Sequence, residues 1–68
     1  MQILVFKTDI CDPLRAKALL DAEPAIHRWT VDTEDIDRVL RIEGTGVAPG
    51  RVIELLSGAG FFCDELPD

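Results

Sequence analysis

Two cysteines are the softest side chains in this chain, and their positions define the first chemical question. Cys11 closes the segment Thr8-Asp9-Ile10-Cys11, between the apolar run Ile3-Leu4-Val5-Phe6 and the helix start Asp12-Pro13. A thiol at both ends of that segment would make a CxxC clamp. Two thiolates on one short loop hold Cu(I) or Zn(II) with little chain rearrangement. Here threonine occupies position 8, and a neutral hydroxyl is a poor ligand for Cu(I). The remaining candidate is a displaced soft-metal site built on Cys11 and Cys63, with Asp9 or Asp12 as additional oxygen donors. The plainer reading makes Cys63 a small apolar residue of the sheet and Cys11 an ordinary residue before a helix. A disulfide between them would need Cα atoms within about 7 Å. A thiol at a helix N-terminus, such as Cys11, is a candidate for mild reactivity, and Asp9 and Asp12 beside it work against that.

Other polar groups carry less. Asp32, Glu34, Asp35 and Asp37 form the densest acidic stretch, but it lacks the glycine and distal glutamate of an EF-hand. A solvated hairpin explains it more simply. His27 is the only histidine and has no second ligand or base partner nearby in sequence. Gly44-Thr45-Gly46 is too short and isolated for a phosphate loop. No serine–histidine or cysteine–histidine arrangement supplies a nucleophile with its base. An enzyme is not expected.

The 68 residues allow one domain, spanning 1–68, with a thin core. A content of 47% apolar and 29% charged residues is that of a soluble globular chain rather than a disordered one. The formal net charge of -6 argues against nucleic acid or an anionic membrane, and favours a cation or a basic protein surface as partner. The apolar start meets Lys7 at once and has no basic residue before it, so it does not read as a signal peptide. No stretch approaches membrane-spanning length. Two cysteines make no disulfide framework, and a reducing cytoplasm is the expected compartment.

The punctuation of the chain predicts six short elements. Gln2 to Lys7 reads as a strand. Asp12-Pro13 is an acidic N-cap followed by proline at the first helical position. Leu14, Ala18, Leu19 and Ala22 are the apolar face of that helix, which ends before Pro24. Ile26 to Asp32 is a second strand with Trp29 and Val31 inward. Thr33 to Ile36 is a turn, and Arg38 to Glu43 is a third strand with Leu40 and Ile42 inward. Pro49 opens a second helix whose buried stripe is Val52, Leu55, Leu56 and Ala59, with Gly60 as the left-handed residue that stops it. Phe61 to Glu65 forms the last strand.

The order βαββαβ has a compact α+β solution. Two right-handed crossovers put both helices on one face of a four-stranded antiparallel sheet, the ferredoxin-like sandwich. Trp29, Val31, Leu40, Ile42, Leu55 and Leu56 then share a core with Ile3 and Val5. The open sheet face is left to Gln2, Leu4, His27, Arg28, Val39 and Arg41. Exposed Leu4 and Val39 would suit a homodimer formed across sheet faces or edges.

Three segments carry a family resemblance: Thr8-Asp9-Ile10-Cys11 leading into a helix with Leu19-Leu20, Ile26-His27-Arg28-Trp29-Thr30-Val31-Asp32, and Ala59-Gly60-Phe61. Together they resemble heavy-metal-associated domains, those of copper chaperones, metal-transport ATPases and mercury-binding proteins. The resemblance implies the ferredoxin-like fold and a CxxC loop that passes Cu(I), Zn(II) or similar ions between partners. Cys11 matches the second ligand of that loop, Thr8 stands where the first would be, and Phe6 replaces the methionine beneath it. Two readings follow. One is an interaction or regulatory module that keeps the scaffold without its metal. The other is a soft-metal binder or carrier using Cys11 and Cys63.

Overall fold

The computed structural model describes residues 1–67. The elements run β1 (Gln2–Thr8), α1 (Pro13–Asp21), β2 (Ile26–Val31), β3 (Leu40–Gly44), α2 (Pro49–Gly58) and β4 (Cys63–Glu65). The sheet is antiparallel throughout and ordered β2-β3-β1-β4, with both crossover helices packed on one face. This is the ferredoxin-like βαββαβ arrangement expected from the punctuation. Among the described residues no helix is long and apolar enough to cross a membrane.

Local chemistry sets the helix ends. The Asp12 carboxylate accepts the Leu14 amide at 3.0 Å, and Pro13 fixes the first helical φ. At the end of α2, Gly60 takes φ 92°, and the amides of Gly60 and Phe61 donate to the carbonyls of Ser57 and Leu56. That pair of bonds is a Schellman stop, and Phe61 folds back onto the core beside Leu56. Gly44 is required for a different reason. A Cβ there would stand 2.2 Å from the Ala25 carbonyl oxygen, where the Thr45 amide donates to that same carbonyl.

The core consists of Phe6, Leu40, Ile42 and Cys63 from the sheet, Ala16 and Leu20 from α1, Val52 and Leu56 from α2, and the loop residues Ile10 and Val47. Leu40, Ile42 and Leu56 lie where the sequence put them. Trp29, Val31 and Leu55 are half-buried instead of buried. β2 is an edge strand, so its inward side chains are covered from one side only. Trp29 also turns its indole N–H to the Asp21 carboxylate at 2.9 Å. With Lys17 bonded to the same carboxylate, and the indole second, Asp21 titrates below its ordinary value.

The phase of β1 is the largest correction. Ile3 and Val5 point to the open face, while Leu4, Phe6 and Thr8 point to the helices. Four consecutive apolar residues hide the alternation, and the decision falls to Lys7. An ammonium cannot enter the core, so every residue in step with Lys7 must face water. The face of α1 is likewise rotated. Ala16 and Leu20 are buried, Leu19 is half-buried, and Leu14 and Ala18 are exposed. Ala22 and Ala59 are exposed too, because each lies beyond the last helical residue. Gln2 belongs on the helix side rather than the open face. Its side-chain amide accepts the Val47 amide at 2.7 Å and donates to the Val47 carbonyl at 3.3 Å.

The phase of β1 is testable by truncation. Phe6→Ala should cost about 3–5 kcal/mol in urea unfolding, enough to unfold much of so small a domain. Ile3→Ala should cost less than about 1.5 kcal/mol, since its side chain already meets water. The reverse ranking would overturn the assigned phase.

Candidate functional site

Three loops meet at one end of the sheet, and hydrogen bonds tie them together. The loop between β1 and α1 spans residues 9–12, the loop between β2 and β3 spans 32–39, and the loop between α2 and β4 spans 59–62. The Thr8 amide donates to the Asp37 carbonyl at 3.0 Å. The Thr8 hydroxyl donates to the Arg38 carbonyl at 2.6 Å and accepts the Ile10 amide at 3.3 Å. Across the other side, the Asp9 carboxylate accepts the Phe62 amide at 2.8 Å. Lys7 adds an exposed ion pair to Asp37 at 3.5 Å, worth little on its own. These contacts make the apex one unit.

The loop from β2 to β3 is built by its own acids. The Asp32 carboxylate accepts the amides of Glu34 and Asp35, at 3.1 and 3.3 Å, and the Asp35 carboxylate accepts the Asp37 amide at 2.8 Å. The Arg38 guanidinium donates to the Thr33 carbonyl at 3.2 Å, and Arg38 itself sits at φ 43°. A left-handed non-glycine residue is strained, and the Thr8 hydroxyl holds its carbonyl in place. Two of the four acids of this stretch are therefore turn-forming residues. At its tip Ile36 is 95% exposed, between Asp35 and Asp37.

Both cysteines lie at this end, in opposite environments. Cys11 is exposed, and its thiol approaches only the Asp9 carbonyl, at 3.6 Å. Cys63 is 8% exposed and pairs directly with Thr8 across the β1–β4 ladder. Burial first, and the neighbouring Asp64 second, push the Cys63 thiol up to about 11. The Thr8 hydroxyl is committed to the Arg38 carbonyl, the Cys63 thiol is buried and the Cys11 thiol is exposed. Among the described residues no group of three or more His, Cys, Asp or Glu side chains gathers to hold an ion. His27 is exposed at the bulge in β2, away from the apex loops.

The sequence signal that would have located the apex is the combination of Thr8 and Ile10, neither of which carries chemistry alone. Threonine at the end of a strand, two residues before an apolar loop residue, is a local capping pattern. Ile10 is fully buried, so the loop is anchored from within. Comparison with known proteins adds nothing to this picture: no family model, no curated protein and no solved structure matches the chain.

Thiol chemistry separates the two cysteines. A disulfide reagent should titrate one thiol rapidly in the native protein and two in denaturant. The elevated pKa of Cys63 also fixes the sign of an alkaline effect. The unfolded thiol ionises near its ordinary value of about 8.5, whereas the folded one keeps its proton to about 11. Stability is therefore full below the unfolded value and is lost as pH rises toward 11. Cys63→Ala should flatten that slope; an unchanged slope would remove the assignment.

Position 8 allows a second check. The Leu66 amide donates to the Val5 carbonyl, so Val5 and Leu66 are a hydrogen-bonded pair and Thr8 with Cys63 is a non-hydrogen-bonded one. Cα atoms in such a pair lie about 4.5 Å apart, within disulfide reach. Thr8→Cys should cross-link to Cys63 under mild oxidation, and in its reduced form bind Cu(I) far more tightly than the wild type. Cross-linking to Cys11 instead would show that the loop has a different geometry.

Proposed function

We propose that the protein is a small interaction module, a relative of heavy-metal-associated domains whose metal loop has become a protein-docking apex. The observation that carries this reading is the hydrogen-bond latch made by Thr8, at the position that resembles the first ligand of a metal loop. Thr8 joins two of the apex loops and Asp9 ties in the third, and this end of the molecule carries exposed Ile36 and Phe62 on the loops and exposed Leu14 in the first turn of α1. Leu14 is 73% exposed and Phe62 50%. Asp9, Asp12, Glu34 and Asp37 surround them on the same loops.

Exposed apolar side chains on ordered loops lose little entropy on binding, and the acids around them select the partner. A fitting partner has an apolar patch rimmed by lysine or arginine. The charges raise the encounter rate, and the apolar residues supply the affinity.

The apex can be probed with a basic amphipathic peptide of alternating lysine and leucine. Backbone amide shifts should move in residues 9–14, 33–37 and 59–62, and the association rate should fall steeply between low and physiological salt. Glu34→Lys should slow association without moving the melting temperature. Shifts confined to the strands, or equal rates at both salt levels, would overturn the reading.

A further inference from the structure

The face of the sheet opposite the helices has a composition unlike the rest of the molecule. Ladder registers place Lys7, Val5 and Ile3 of β1 on it, beside Arg41 and Glu43 of β3, Arg28 and Thr30 of β2, and Asp64 of β4. Three bases thus oppose two acids on one face of a chain whose net charge is -6. Arg28 is paired with Glu43 at 3.8 Å. Arg41 has no carboxylate within ion-pair distance among the described residues.

One depression lies along β1 and the residues that follow β4, and a second lies over β2 and β3. The first, of about 400 Å³, is lined by Ile3, Leu4, Val5, Glu65, Leu66 and Pro67. The other, of about 290 Å³, is lined by Arg28, Thr30, Arg41 and Glu43. Val5 pairs directly with Arg41, so the first depression and the free guanidinium adjoin. Exposed Ile3 and half-buried Val5 thus lie near a cation.

The apex of the same chain presents the complement. Ile36 projects from a hydrogen-bonded tip between Asp35 and Asp37, with Glu34 adjacent. We infer that the tip at Glu34–Asp37 of one copy docks on the open sheet face of another, with Ile36 in the Ile3–Val5–Leu66 seat and a tip carboxylate on Arg41. This inference rests on the reading of the apex as a recognition element and names its occupant as a second copy of the chain. The two surfaces differ, so the contact is heterologous and propagates head to face instead of closing into a symmetric dimer. It also lets chains of like net charge meet, because the contact joins an acidic tip to a sheet face whose strand residues carry more bases than acids.

Sedimentation of the full chain over rising concentration tests this directly. The weight-average mass should climb above 7.5 kDa and should fall back as salt is added. Ile36→Asp and Arg41→Glu should each sediment as a monomer, with circular dichroism unchanged because both side chains are exposed. Mixed in equal amounts, the two variants should form a one-to-one pair that grows no further, since one intact tip meets one intact face. A wild type that stays monomeric at millimolar concentration would overturn the inference. So would association that survives Ile36→Asp, or variants that fail to pair on mixing. Peptide-induced shifts at the apex do not depend on any of these results, so failure here and failure of the docking reading are separately visible.

Discussion

The hydroxyl of Thr8 is the constraint on which the rest of the apex depends. It faces the helices because Phe6 fixes the phase of β1, and at that depth it must find partners. It finds two, the Arg38 carbonyl and the Ile10 amide, which belong to different loops. Removing the hydroxyl would strand a carbonyl on a residue already held at positive φ, a loss of about 1–3 kcal/mol for the unmet group alone. The same bond sets the start of α1, since Ile10 must enter the core before Asp12 can cap the helix. One oxygen thereby joins two loops.

A thiol at position 8 could not do this. Sulfur is a weak donor and a weak acceptor, so loops closed by hydrogen bonds and loops closed by an ion are alternative solutions at this site. At Thr8 the loops are closed by hydrogen bonds. Asp9 completes the closure by accepting the Phe62 amide, which joins the loop after α2 to the loop after β1. Cys63 lies opposite this threonine in the ladder, where burial raises its thiol pKa.

The fold was legible because its signals are local. Asp12-Pro13, Pro24, Pro49 and Gly60 each act on the residues beside them, and they delimit elements whose order admits few topologies. Side-chain phase was less legible where the pattern was degenerate. Ile3 to Phe6 offers no polar residue to mark a face, and the informative residue was Lys7, just past the apolar run. In α1 the short stripe of Ala16 and Leu20 carries little apolar bulk, so Leu14 seemed the better anchor. It lies off the axis of contact with the sheet. The apex was illegible for a different reason. Its bonds join residues about thirty and fifty positions apart, and no spacing rule connects Thr8 to Arg38 or Asp9 to Phe62.

The distribution of charge follows from the same geometry. Acids at Asp32 and Asp35 are consumed in shaping a turn, and Asp12 in capping a helix, so part of the negative charge is a by-product of local structure. The bases of the strands are under no such demand. Lys7, Arg28 and Arg41 stand on one face because strands alternate and their inward neighbours are needed in the core. Arg28 and Lys7 are each matched by a carboxylate, while Arg41 is left beside Val5 at the middle of the face. A lone guanidinium beside apolar surface gains nothing for the folded monomer, since water solvates it equally well in the unfolded chain. Its position acquires a use only when an anion arrives together with something apolar, and the tip carrying Ile36 has that combination.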